Sequence, residues 1–194
     1  QGSITCYDKT GYIERLPLRG EEELLFKIKS FDFGTERSIT ARIVSIGDLN
    51  RTPDGNGLVY TMNFISKLSY KANINYLITS FNGLEGDKIV KKIFEKYYSK
   101  VRPENEVTPQ GSTVFEPGLT QRYRIMDDPQ RALYIQPTRG NMKVTIPDYS
   151  PSEAMKFICR RSYSDAVGPS STFNFFETWD GYHFVTDEWM NEKA

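Results

Sequence analysis

One histidine, two cysteines and a few clustered carboxylates are the residues through which this 194-residue chain could do covalent or metal chemistry. Nucleophilic catalysis by a Ser–His or Cys–His pair would need His183 as its base. His183 sits in Tyr182-His183-Phe184-Val185, where strand alternation places it opposite the aromatic face and so toward solvent. No Gly-x-Ser-x-Gly elbow supplies a partner. Cys6 and Cys159 lie far apart in unlike contexts, which suits neither a disulfide framework nor a zinc site; both read as small buried hydrophobes. Asp127-Asp128-Pro129 pairs two carboxylates, but sequence neighbours point apart and no Asp-x-Asp-x-Asp-Gly calcium loop accompanies them. Glu21-Glu22-Glu23 reads as a solvated approach to a strand, with a glycosidase carboxylate pair as its alternative role. Gly55-Asn56-Gly57 leads into a strand instead of a helix, so it is a turn and not a phosphate cradle. These residue types assemble no recognisable catalytic, cofactor-binding or metal-ligating constellation, and the expectation is a non-enzymatic protein without a cofactor.

Composition narrows the remaining classes. The 25 basic and 25 acidic residues cancel, which argues against a dedicated duplex-DNA binder, because such proteins neutralise phosphates with surplus Lys and Arg. No apolar run approaches the ~18 residues that span a bilayer, and no membrane binding is expected. The start, Gln1-Gly2-Ser3-Ile4, has no signal-peptide pattern and no initiator Met, so the chain is expected to be processed or cut from something longer. Twelve Tyr and twelve Phe suit strands and interfaces more than a helical bundle.

The elements that would position these residues divide the chain into β structure over 1–85 and a second unit over 86–194. Leu24 to Lys29 alternates apolar and charged residues, the mark of a strand with one wet face. Ser38–Ile46 and Leu58–Ser66 are rich in β-branched and aromatic residues. The string Thr52-Pro53-Asp54-Gly55-Asn56-Gly57 joins them as a hairpin. Ile4–Tyr7 and Tyr76–Phe81 complete five short strands, which favours a small antiparallel β barrel or sandwich.

From Asp87 to Tyr98 the period changes. Ile89, Val90, Ile93, Phe94 and Tyr97 recur at helical spacing, with Lys88, Lys91, Lys92, Lys96 and Lys100 on the outer face. No aromatic residue interleaves with those lysines, so they read as a solvated face. Residues 101–131 are Pro-rich and weakly periodic, the profile of a long loop. Leu133–Gln136 and Met142–Ile146 flank the turn Pro137 to Asn141. Ser150 then caps a helix whose first residue is Pro151 and whose Glu153 completes a Ser-x-x-Glu capping box. Ala154, Phe157 and Ile158, with Met155 and Cys159, form its apolar face, and burial of Phe157 and Ile158 is worth about 1.5–3 kcal/mol each. A hairpin ends the chain, with Thr172–Thr178 and Tyr182–Asp187 joined at Trp179-Asp180-Gly181, where Asp-Gly predicts a primed turn.

Two stretches resemble a known family. Ile146-Pro147-Asp148-Tyr149-Ser150-Pro151-Ser152-Glu153-Ala154 with Arg161, then Ser171-Thr172-Phe173-Asn174-Phe175-Phe176-Glu177-Thr178-Trp179-Asp180-Gly181-Tyr182-His183-Phe184, are similar to consecutive motifs of phage tail proteins. Gly20 to Phe26, Leu58 to Ser66, Ser80-Phe81-Asn82-Gly83 and the helix with Ile89-Val90 follow the same pattern in order. The family is the central baseplate hub subunit of contractile-tail bacteriophages of the T-even type. The resemblance covers nearly the whole chain apart from the loop at 101–131.

The resemblance implies an α+β chain: a tail-tube-like barrel over 1–85, then an incomplete α+β domain with two helices and β hairpins. It implies a homotrimeric hub that joins the tail tube to the central spike and lines the passage for DNA. Such a protein is made in the bacterial host cytoplasm and ends in the virion baseplate. Each subunit of the family carries two barrels, and one is visible here, so the chain is expected to be the front part of a longer hub. Phe31 and Phe33, in the polar loop Ser30-Phe31-Asp32-Phe33-Gly34, are the expected contact aromatics. The alternative is a carbohydrate- or host-surface-binding module using Trp179 and Tyr182, and a cell-wall hydrolase is the third reading.

Overall fold

The alternation and capping signals become a mixed α+β structure in a computed structural model, which describes residues 1–15, 18, 20, 22–29, 36–53, 55–104, 120–165 and 172–193. The chain forms two compact units, Gln1–Tyr70 and Lys71–Ala194. The division falls before the expected strand at Tyr76–Phe81, and that strand belongs to the second unit.

The first unit contains β1 (Gly2–Asp8), a single helical turn α1 (Tyr12–Arg15), β2 (Glu23–Lys29), β3 (Glu36–Arg51) and β4 (Leu58–Ser66). The helix α2 (Lys67–Asn73) runs across the division. The strands form one antiparallel sheet in the order β1-β4-β3-β2. The hairpin between β3 and β4 is the one expected: Thr52 and Gly57 pair through Thr52 N–H at 2.9 Å, and Gly55 takes the positive φ of 69° that the turn requires. β3 outruns its expected end at Ile46 because two register shifts let it follow β4 to the turn. In the second shift Asp48 adopts a φ of 54°, a conformation that Asp tolerates better than most residues. Among the described residues the expected barrel is an open sheet: β1 and β2 are its two edges, and no described strand joins them.

The second unit begins with β5 (Leu77–Leu84) and the amphipathic helix α3 (Gly86–Tyr97), followed by β6 (Val101–Pro103), β7 (Gln121–Ile125), β8 (Ala132–Ile135), β9 (Thr138–Arg139) and β10 (Met142–Tyr149). Helix α4 (Pro151–Cys159), β11 (Tyr163–Ser164), β12 (Phe173–Glu177), β13 (Gly181–Thr186) and α5 (Asp187–Lys193) complete it. β5 pairs antiparallel with β10, not with the sheet of the first unit. Its alternation prescribes one wet face and one dry face but not a partner strand; Phe81 opposite Val144 and Thr79 opposite Ile146 set the register actually used.

The main sheet of this unit has the order β12-β13-β8-β7-β6, with β13 and β8 parallel and the other pairs antiparallel. Its dry face packs on the helices through an aromatic cluster. Phe94 stacks on Tyr98 at 4.8 Å, and Tyr182 meets both rings edge-on at 5.1 and 5.4 Å. Such edge contacts suit the ring quadrupoles and add to the burial of large apolar surfaces. Met155 and Ile158 of α4 are fully buried, while Phe157 is only half-buried, held between Tyr149 and the Arg161 guanidinium.

The capping box of α4 is present in both directions: Ser150 Oγ accepts from Glu153 N–H at 3.4 Å, and Ser150 N–H donates to the Glu153 carboxylate at 2.9 Å. The terminal hairpin is a two-residue loop over Trp179 and Asp180, but neither residue has a positive φ, so its turn is not the primed kind. Gly181 carries the positive φ of 145°, and a Cβ there would overlap the Ala132 carbonyl oxygen. Close approach of the parallel neighbour strand, and not the turn alone, requires glycine at this position.

Candidate functional site

His183 is 7% exposed, not solvent-facing as its alternation suggests. β13 is an interior strand of the sheet, so both of its faces can be covered. The imidazole lies between Tyr134 at 4.7 Å and Phe176 at 5.0 Å in near-parallel stacks, and Trp189 of α5 covers it at 5.8 Å. Its Nε2 shares a 2.8 Å hydrogen bond with Thr178 Oγ1, while the buried Nδ1 has no hydrogen-bond partner among the described residues. Burial holds the ring pKa below the ordinary histidine range, with Arg131 adding to that shift and Asp180 opposing it.

A hydroxyl beside an imidazole is the geometry of an activated nucleophile. Here Thr178 Oγ1 also accepts from Asp180 N–H at 3.3 Å, which caps the hairpin, and among the described residues no carboxylate meets Nδ1. Beside it, Arg131 is 5% exposed; its Nη2 donates to Glu177 at 2.6 Å and to the Thr178 carbonyl at 2.8 Å, and its Nη1 lies 3.7 Å from Asp128. The guanidinium also covers the Tyr182 ring at 5.0 Å. These contacts lock the base of the hairpin to the β7–β8 turn.

The other sequence candidates separate. Asp127 pairs with Lys71 at 3.4 Å while Asp128 turns to Arg131, so the two neighbours do point apart. Burial, the larger influence, raises the Asp128 pKa against the pull of Arg131. Glu23 pairs with Lys67 at 2.7 Å, and Glu22 accepts from Gly20 N–H; Glu21 lies outside the described residues. Cys159 is buried, with its thiol pushed up to about 12 by desolvation, and Cys6 is half-buried. No group of three or more His, Cys, Asp or Glu suited to a metal ion occurs among the described residues. Lys88, Lys92, Lys96 and Lys100 are exposed; Lys91, half-buried, lies 4.4 Å from the centroid of Tyr123 on β7, and Lys96 5.1 Å from that of Tyr97. Tyr182 is 1% exposed and belongs to the core, which leaves Trp179 as the exposed aromatic at the hairpin tip.

What remains is surface. In the first unit, cross-strand pairing places Ile4, Met62, Ile46, Phe64, Leu24 and Phe26, each only half-buried, on one side of the sheet with the buried Ala41, Ile43 and Tyr60. The opposite side is polar along its middle, where Thr5 meets Thr61 and Asn63 donates to Ser45. The edge strand β2 exposes Leu25 (61%) and Ile28 (46%). Unpaired edges with exposed apolar side chains are templates for pairing with another chain. Phe31 and Phe33 lie outside the described residues.

The second unit carries a cluster that sequence reasoning missed. Arg122 and Arg124 alternate along β7, and Arg102 of β6 lies directly opposite Arg124, so three exposed guanidiniums share one side of the sheet. The Arg-x-Arg alternation was its only sequence signal, and it lies within a stretch whose weak periodicity reads as loop. Set against protein-family models, curated proteins and solved structures, the chain has no significant match in any of the three comparisons.

Proposed function

We propose that this chain is a structural component of a phage tail baseplate hub of the contractile T-even type, joining tail tube to central spike. The observation that carries the reading is the first unit's open sheet, unpaired at β1 and β2 among the described residues, with Ala41, Ile43 and Tyr60 buried on its apolar side but Ile4, Leu24, Phe26, Ile46, Met62 and Phe64 around them only half-buried. A sheet of this form has incomplete burial by itself, and further copies of the chain supply what it lacks. In this reading the sheet serves as the tail-tube-like barrel of the hub, closed by contacts within a homotrimer whose lumen admits DNA. The reading also rests on the resemblance of the consecutive motifs around Ser150 and Gly181 to that family; each maps onto a cap or turn that fixes local structure, which suits a scaffold and not a site. His183, Thr178 and Arg131 then act as scaffold, and no catalytic role is assigned to them.

The test is sedimentation across a wide concentration range. The expected result is a reversible trimer that L25K/I28K and F31S/F33S each weaken without lowering the melting temperature. A chain that stays monomeric throughout, with β2 amides that exchange as freely in concentrated as in dilute solution, would refute the reading.

A further inference from the structure

The arginine cluster of the second unit adjoins an aromatic tier. Arg122 lies over the Tyr134 ring at 5.7 Å, Tyr134 stacks on His183 at 4.7 Å and 4°, and His183 stacks on Phe176 at 5.0 Å and 11°. This row crosses four adjacent strands, β7, β8, β13 and β12, on one side of the sheet. Trp189 covers it at His183, whereas Tyr134 is half-buried and Arg122 exposed. The charges beside it are unbalanced. Glu104 pairs with Arg122 at 3.0 Å, but neither Arg102 nor Arg124 has a carboxylate partner among the described residues. Like charges placed directly opposite across two strands destabilise a sheet, and an anion bridging them would remove that cost.

We propose that this face, formed by Arg102, Arg122, Arg124 and Tyr134, binds single-stranded nucleic acid. Paired guanidiniums on adjacent strands match phosphate oxygens in charge and fork geometry. A planar guanidinium lying over a tyrosine ring offers a stacking surface for an unpaired base beside them. A duplex does not expose its base faces, so the single strand is the occupant that uses both halves of the cluster. Zero net charge over the chain is no obstacle, because the cluster is local and its affinity is set by the phosphates it neutralises. The proposal goes beyond the assembly reading and does not depend on it, since a chain that never self-associates still presents this face.

Fluorescence anisotropy of a labelled oligo-deoxythymidylate with the 194-residue chain tests it. Saturable binding is expected at low salt, weakening about 18-fold between roughly 50 and 200 mM salt if three phosphates are neutralised on a single strand. R102Q/R124Q is expected to abolish most of the binding and flatten that salt dependence, while leaving the melting temperature equal to or above that of the parent. Y134A removes the ring over which Arg122 lies and is expected to weaken binding several-fold, less than R102Q/R124Q, by releasing that guanidinium from its stacking position. Because Tyr134 also packs on His183, the exposed arginine pair keeps the test decisive if Y134A unfolds. Absence of binding at low salt, binding unchanged in R102Q/R124Q, or a heparin fragment binding equally well with no dependence on Tyr134 would each overturn the proposal.

Discussion

Removing the Glu177 carboxylate should destabilise the second unit far more than removal of an ordinary surface charge. Arg131 has 4% of its side chain exposed and Glu177 22%, and the two meet at 2.6 Å. At an effective dielectric of about 20, unit charges at that distance attract by about 6 kcal/mol, most of which offsets the desolvation of both ions. The net value of the intact pair is therefore small. Its loss is not small, because Glu177→Ala leaves a buried guanidinium with Asp128 at 3.7 Å as its remaining carboxylate. Breaking a buried pair in this way costs about 3–5 kcal/mol. Asp128 retains part of the compensation, so the low end applies: about 3 kcal/mol, or a fall of roughly 10 °C in melting temperature.

Urea denaturation of the single variant and of R131M/E177M measures this directly. The double variant should recover to within about 1 kcal/mol of the parent, since replacing both buried charges with apolar side chains is often neutral. A loss below about 1 kcal/mol for Glu177→Ala alone would put the pair in the class of exposed ion pairs and refute the reasoning.

Two further predictions rest on the same unit. Ser150→Ala removes the side-chain half of the α4 capping box and should cost about 1 kcal/mol, read as a lower urea midpoint with an unchanged slope. His183 predicts a pH dependence. Burial lowers its pKa in the folded state, so the unfolded chain binds its proton first, near the ordinary value of about 6.5. Stability contributed by the neutral ring is full above that pH and declines as pH falls below it toward the depressed folded value. Glu23 and Glu153, lowered by Lys67 and by Ser150, titrate in a more acidic range, whereas Asp128, raised by burial, adds stability as pH falls, so the comparison with His183→Gln isolates the ring: a Tm that changes equally with pH in parent and variant would contradict the assignment.

Local signals in the sequence were legible where one segment contains the whole cause. The Thr52–Gly57 turn, the α3 stripe and the Ser150 capping box each depend on residues a few positions apart, and each appears in place. The short helices escaped notice although their caps were present. Asp8 accepts from Ile13 N–H at 3.0 Å before α1, Ser66 Oγ from Ser69 N–H at 3.4 Å before α2, and Thr186 Oγ1 from Trp189 N–H at 3.4 Å before α5. None of these helices exceeds seven residues, too few for a 3.6-residue period to stand out.

The errors at β5 and His183 share a cause that lies outside any local window. Alternation in Leu77–Leu84 specifies that one face is dry, and β10 satisfies that requirement as well as the β1–β4 sheet would have. Only long-range pairing chooses between them. Likewise the Tyr182-His183-Phe184 alternation correctly assigns opposite faces, with Tyr182 and Phe184 against the helices and His183 on the other side. What it cannot supply is that β13 lies inside the sheet, with Tyr134 on one neighbour strand and Phe176 on the other to enclose the ring. The same pairing brings Arg102 opposite Arg124 across a long stretch of intervening chain. The arginine face thus exists only once the strand order is known. Its like-charge pair has no structural benefit to the sheet, and that lack is the physical reason to assign it a ligand.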